Sequence, residues 1–146
     1  MRELPRQLTV DELAELFEGR TVLVERLAEV ADPLTRANEV IEQLTEPEKL
    51  EALNAHPAIG QRSGLSARSA AEQGSDDDPD LLAELERLNR AYEERFGFRF
   101  VVFVNGRSRR EIVPVLGDRL ERTRSEELET GLSELVAIAA DRWRRG

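Results

Sequence analysis

His56 is the only histidine in the chain. Imidazole is the side chain whose ordinary pKa lies nearest neutrality, so it is the group best suited to give or take a proton at physiological pH. It stands directly before Pro57, and proline disfavours the helical conformation for the residue preceding it. A helix is therefore expected to end there. The plainer alternative for a lone histidine is a half-buried residue that helps to terminate that helix. Further on, Ser69-Ala70-Ala71-Glu72-Gln73 sets a hydroxyl, a carboxylate and a carboxamide at i, i+3 and i+4. On a helix these share one face and can converge on a small polar ligand; a solvated face has the same spacing. Phe98-Arg99-Phe100-Val101-Val102-Phe103-Val104 runs into an Asn105-Gly106 turn. Inside a helical protein its backbone N–H groups are left to bind a carbonyl or carboxylate oxygen, unless the segment is simply core. Arg142 lies on the side of Leu135 and Ile138. A guanidinium there can clamp a carboxylate through two bonds, or pack its stem on neighbours and keep its head in water. Arg144, Arg145, Glu126, Glu127 and Glu129 read as solvated, the glutamates suiting a helix N-terminus.

Composition removes many alternatives. The chain has 146 residues, no cysteine, and 21 Lys plus Arg against 30 Asp plus Glu, for a formal net charge of −9. Thiol catalysis, disulfides and cysteine-ligated zinc are excluded, and one histidine excludes a His-rich metal site. The acidic balance opposes general nucleic-acid binding, which depends on neutralising phosphates, and opposes anionic membrane surfaces. No apolar run approaches the ~20 residues needed to cross a bilayer. Met1-Arg2-Glu3-Leu4-Pro5 opens without an apolar stretch, so a cytoplasmic location is expected. The glycine-rich phosphate and dinucleotide motifs and the Gly-x-Ser-x-Gly elbow are not in the sequence.

Helices must position these groups. Thr9-Val10-Asp11-Glu12, Thr45-Glu46-Pro47-Glu48 and Ser108-Arg109-Arg110-Glu111 are capping boxes. Asp32-Pro33 and Asp78-Pro79 read as N-caps followed by proline at the first helical position. Behind these starts run apolar stripes: Leu13, Leu16 and Phe17; Val22, Leu23, Arg26, Leu27 and Val30; Leu34, Ala37, Ile41 and Leu44; Leu50 and Leu53; Leu81, Leu85, Leu88 and Tyr92; and Leu128, Leu132, Leu135, Val136, Ala139 and Trp143. Pro114 is expected to kink its helix by removing a backbone donor. Residues 98–104 have strand propensity but no second strand to pair with, so a short extended or helical segment buried among helices is expected. The architecture is all-α, one domain spanning residues 1–146, with about eight helices.

Four passages, in order, resemble the 2-oxo-4-hydroxy-4-carboxy-5-ureidoimidazoline (OHCU) decarboxylase family, from about Leu16 to Trp143. They are Leu53-Asn54-Ala55-His56-Pro57-Ala58-Ile59-Gly60, Ser69-Ala70-Ala71-Glu72-Gln73, Leu88-Asn89-Arg90-Ala91-Tyr92 continuing into Arg95-Phe96-Gly97-Phe98-Arg99-Phe100, and Asn105-Gly106-Arg107-Ser108 with the closing Ile138-Ala139-Ala140-Asp141-Arg142. The resemblance implies an all-α bundle and a cofactor-independent decarboxylase of urate breakdown that forms (S)-allantoin. It implies no metal, a small ureidoimidazoline substrate, and allows a homodimer. It makes His56 the proton donor, paired with Glu72. Pro57, the run Ser69, Ala70, Ala71, Glu72 and Gln73, the backbone of Phe100, Val101, Val102, Phe103 and Val104, and Arg142 become substrate-binding.

The chain departs from the family pattern in a compact loop between His56 and Glu72, in Arg99 where proline is common, and in Pro114. The first two bear on one wall of the expected pocket, and none removes a candidate catalytic group. Two other readings compete: a related helical protein that handles a different ureido or purine-derived compound, and a non-enzymatic helical interaction module in which His56 and Glu72 are structural.

Overall fold

Capping chemistry sets where the helices begin. The computed structural model describes residues 3–59 and 78–146, and among these there are seven α-helices and no strand. The helices are α1 (Val10–Phe17), α2 (Val22–Leu27), α3 (Ala37–Glu42), α4 (Glu46–Asn54), α5 (Pro79–Phe96), α6 (Arg109–Arg119) and α7 (Arg124–Arg145). The all-α expectation holds, with seven helices described where the pattern predicts about eight. The three capping boxes form as read: Thr9, Thr45 and Ser108 each accept the backbone N–H three residues on, while Glu12, Glu48 and Glu111 reach back to the cap. Asp78 caps α5 by accepting the Asp80 N–H at 3.0 Å. A fourth reciprocal pair, Thr123 with Glu126, opens α7.

Two local expectations are corrected. Asp32-Pro33 does not start a helix. The Asp32 N–H donates to the Arg6 carbonyl at 2.8 Å, and Asp32 adopts a left-handed φ of 52°. Aspartate tolerates that region better than most residues. The chain then turns, and α3 begins only at Ala37 with no side-chain cap. In α2 the buried side is Leu23, Val24 and Leu27 rather than Val22, Arg26 and Val30. Pro114 sits on the exposed side of α6, and the helix continues through it.

The chain divides into two compact units, Met1–His56 with Leu132–Gly146, and Pro57–Gly131. In the first, α2 packs on α1, α3 and α4. Leu13, Leu23, Val24, Leu27 and Leu53 are fully enclosed there. The Val22 N–H donates to Glu51 of α4 at 2.8 Å, and the Trp143 indole donates to the Glu3 carbonyl at 2.7 Å.

In the second unit α5 packs on α6. Gly97, with φ +81°, ends α5 in the left-handed conformation that glycine adopts without a Cβ penalty. The chain then passes through residues 98–104, most of them buried, without helix or strand pairing. Aromatic packing replaces a ladder. The Tyr92 ring meets Phe96, Phe98 and Phe100 at centroid separations of 4.6, 6.0 and 5.2 Å, the last two edge-on, the arrangement that ring quadrupoles favour. Asn105 and Gly106, both at positive φ, close a tight turn in which the Arg107 N–H donates to the Val104 carbonyl at 3.0 Å. No described helix is long and apolar enough to cross a membrane.

Candidate active site

His56 lies just beyond α4. Its N–H donates back to the Leu53 carbonyl at 3.2 Å, and the residue is 7% exposed. The capping box at the other end holds Glu48 below the usual carboxylate range, chiefly through the Thr45 backbone N–H and also through Arg26. Pro57 is half-buried, and two residues later the Ile59 carbonyl accepts the Asn89 carboxamide of α5 at 2.8 Å. Asn89 is itself buried, so α5 anchors the stretch that follows the histidine. Ser69, Ala70, Ala71, Glu72 and Gln73 lie outside the described residues, and with them the His56–Glu72 pairing.

Three carbonyls of residues 100–104 are held by two arginines. Arg119 Nη1 donates to the Val101 carbonyl at 2.8 Å. Arg107 Nη2 donates to the Phe103 carbonyl at 2.7 Å, and its Nε to the Val104 carbonyl at 3.0 Å. The N–H groups of Val102 and Val104 meet no acceptor among the described residues, although both valines are buried. Buried backbone donors without partners are rare, and each costs about 1–3 kcal/mol. A buried apolar segment that presents them is suited to hold the oxygens of a polar ligand.

Arg119 is in turn fixed by a carboxylate whose place at a helix N-terminus predicts a solvated group. Glu127, in the first turn of α7, has no exposed surface. Its Oε1 accepts the Tyr92 hydroxyl and Arg119 Nε, each at 2.7 Å, and its Oε2 accepts Arg122 Nη1 at 2.8 Å. Arg122 also donates to the Thr130 hydroxyl at 2.9 Å. The Arg119 guanidinium lies 4.5 Å from the Phe100 ring centroid, within cation–π range. Burial first, then the bond to Glu127, pushes the Tyr92 hydroxyl well above its ordinary pKa. A signal for Glu127 was present in the sequence: it precedes Gly131, Leu135, Ile138 and Arg142 on one side of a helix.

Arg142 is 1% exposed. Its Nη1 donates to the Leu16 carbonyl at 3.1 Å and stands 3.0 Å from Glu18 Oε1. Glu18 caps α1 in the left-handed region, at φ 68°. Arg142 thus belongs to the end of α1, fully enclosed rather than snorkelling. Among the described residues, no three His, Asp or Glu side chains group so as to hold a metal.

The helical architecture matches that of a solved OHCU decarboxylase crystallised in the presence of (S)-allantoin. The TM-score is 0.76 at 23% identity, over 92% of this chain and 96% of that one. That likeness defines the class, an all-helical protein with the OHCU decarboxylase fold. The family model described as OHCU decarboxylase matches residues 2–144, and the chain belongs to that family. It is 31% identical over 141 residues to the OHCU decarboxylase of Haloferax volcanii, covering 89% of this chain and 83% of that protein. It is 33% identical over 104 residues to that of Halalkalicoccus jeotgali, covering 68% of this chain and 59% of the relative.

Proposed function

We propose that the chain converts OHCU to (S)-allantoin in urate breakdown, as a carboxy-lyase that uses no cofactor. The observation that carries this reading is the seat of His56, the sole imidazole, enclosed where Pro57 ends a helix, in a chain of this family.

The chemistry needs little from the protein beyond orientation and one proton. The substrate carries its carboxylate on a ring carbon next to an imine carbon. As the bond to CO2 breaks, its electron pair moves into the ring towards the imine nitrogen, so the substrate supplies its own electron sink. The nitrogen left with that pair takes a proton, the ring hydroxyl gives up its own to become the carbonyl, and the former imine carbon takes a proton, so that one proton is gained overall for the CO2 lost. Delivery of that proton from one face makes a single enantiomer. In this reading His56 delivers it, a task that positioned acids perform with typical gains of about 10²–10⁴-fold. Glu72 orients and balances the imidazole. Ser69, Ala70, Ala71 and Gln73 with Pro57 contact the substrate, and the Phe100–Val104 amides hold its carbonyl oxygens. The partner is this small molecule alone, not nucleic acid or membrane, and the working form is a cytoplasmic homodimer.

The test is turnover of freshly generated OHCU, followed by circular dichroism for optically active allantoin, with His56→Ala beside the wild type. The substrate decays unaided to racemic product, so chirality is the readout. Rapid formation of one enantiomer by the wild type alone supports the reading. Racemic product at the uncatalysed rate from the wild type overturns it. Full activity in a folded His56→Ala removes the histidine from the mechanism.

A further inference from the structure

We propose that Arg107 and Arg119 are positioning residues for the amides of residues 100–104: by gripping carbonyls of this segment, they aim the Val102 and Val104 N–H groups at the substrate. The inference rests on the proposed decarboxylase reading and adds two side chains to it.

The argument begins with the peptide unit. A trans peptide is planar, so a carbonyl and the N–H that follows it point in opposite directions. Arg119 Nη1 fixes the Val101 carbonyl at 2.8 Å and therefore the direction of the Val102 N–H. Arg107 Nη2 fixes the Phe103 carbonyl at 2.7 Å and therefore that of the Val104 N–H. Each amide therefore points away from the guanidinium that grips the carbonyl of its own peptide unit. Val102 is 7% and Val104 8% exposed, and neither N–H meets an acceptor among the described residues. In a sheet, a neighbouring strand would set these peptide planes. Here the two guanidiniums do so, from α6 and from the turn before it.

Each grip is itself anchored. Arg119 is held at Nε by Glu127 and faces Phe100. Arg107 has its Nε on the Val104 carbonyl, which also closes the Asn105-Gly106 turn with the Arg107 N–H. Both arginines use the fork to bind at two points, which the single point charge of lysine does not reproduce.

The experiment is steady-state kinetics on the full chain with OHCU, for wild type, Arg107→Lys and Arg119→Lys, with folding checked by far-UV circular dichroism. Arg107 is half-buried and, among the described residues, its hydrogen bonds stay within its own turn, so its variant serves if Arg119→Lys fails to fold. The expected result is a KM raised roughly five- to tenfold, the size of one weakened neutral hydrogen bond, with kcat within about twofold of wild type, because loss of uniform binding moves KM alone. A kcat that falls with the folded fraction while KM stays unchanged would make the arginines merely structural and overturn the inference. A wild type that yields racemic product at the uncatalysed rate overturns the decarboxylase reading itself, and the inference with it.

Discussion

Arg119 and Glu127 meet at 2.7 Å inside the protein, the arginine side chain 8% exposed and the glutamate with no exposed surface. Glu127 also accepts Tyr92 and Arg122, and Arg119 passes the restraint on to the Val101 carbonyl. One carboxylate thus ties α5, α6 and the start of α7 to residues 98–104.

Breaking that tie is costly because it strands a buried charge. Glu127→Ala should destabilise the protein by about 3–5 kcal/mol, read as a lower urea midpoint. An exposed partner of a surface pair, such as Glu86 with Arg90, should cost less than about 1 kcal/mol on the same substitution. Equal losses at the two sites would contradict the buried role.

Tyr92 is the only tyrosine, so its ionisation is directly visible as tyrosinate absorbance. Burial and Glu127 raise its pKa in the folded state. In the unfolded chain it ionises near 10. The unfolded state therefore releases a proton first as pH rises, and the contribution of Tyr92 to stability, complete below about pH 10, is lost above it. No tyrosinate should appear near pH 10 while the protein stays folded, and the alkaline fall in stability should be shallower in Tyr92→Phe. Tyrosinate forming at the ordinary pH in folded protein would refute this.

The acid side is set by helix starts. Glu48, Glu111 and Glu126 are each held below the ordinary carboxylate range, first by the backbone N–H of their caps Thr45, Ser108 and Thr123. A lowered folded-state pKa stabilises above the ordinary value and ceases to do so as pH falls through the folded one. Glu111 and Glu126 are exposed and Glu48 is half-buried, so the effect should be modest. Replacing all three by glutamine, which still accepts the bond but does not titrate, should flatten the fall in urea midpoint between about pH 6 and pH 3. An unchanged slope would show that other carboxylates govern acid stability.

On the proposed reading, Glu72→Gln should lower kcat by at least about tenfold, because a general acid works best when its pKa and orientation are tuned by a partner. Exhaustive chelation should leave activity unchanged. A wild-type rate in Glu72→Gln removes Glu72 from the mechanism, and activity lost to chelation and restored by zinc would contradict the cofactor-free chemistry.

What the sequence determined by itself is local. A capping box joins residues three apart, so Thr9, Thr45 and Ser108 announce α1, α4 and α6 without reference to anything distant. The stripe Leu81, Leu85, Leu88, Tyr92 is buried as its period requires. The family itself was legible, because short motifs in order survive where overall identity is low. Tertiary structure decided whatever depends on a partner far along the chain. Asp32-Pro33 has the form of a helix start, yet a bond from Asp32 to Arg6 turns it into a left-handed corner. Glu127 looks like one more acid at a helix N-terminus, until Tyr92, 35 residues earlier, and Arg119 close over it. Residues 98–104 carry the propensity of a strand but find side-chain guanidiniums and aromatic rings in place of a neighbour. Propensity and capping are properties of a few adjacent residues; burial of a charge and the partner of a backbone amide depend on which distant groups the fold brings alongside.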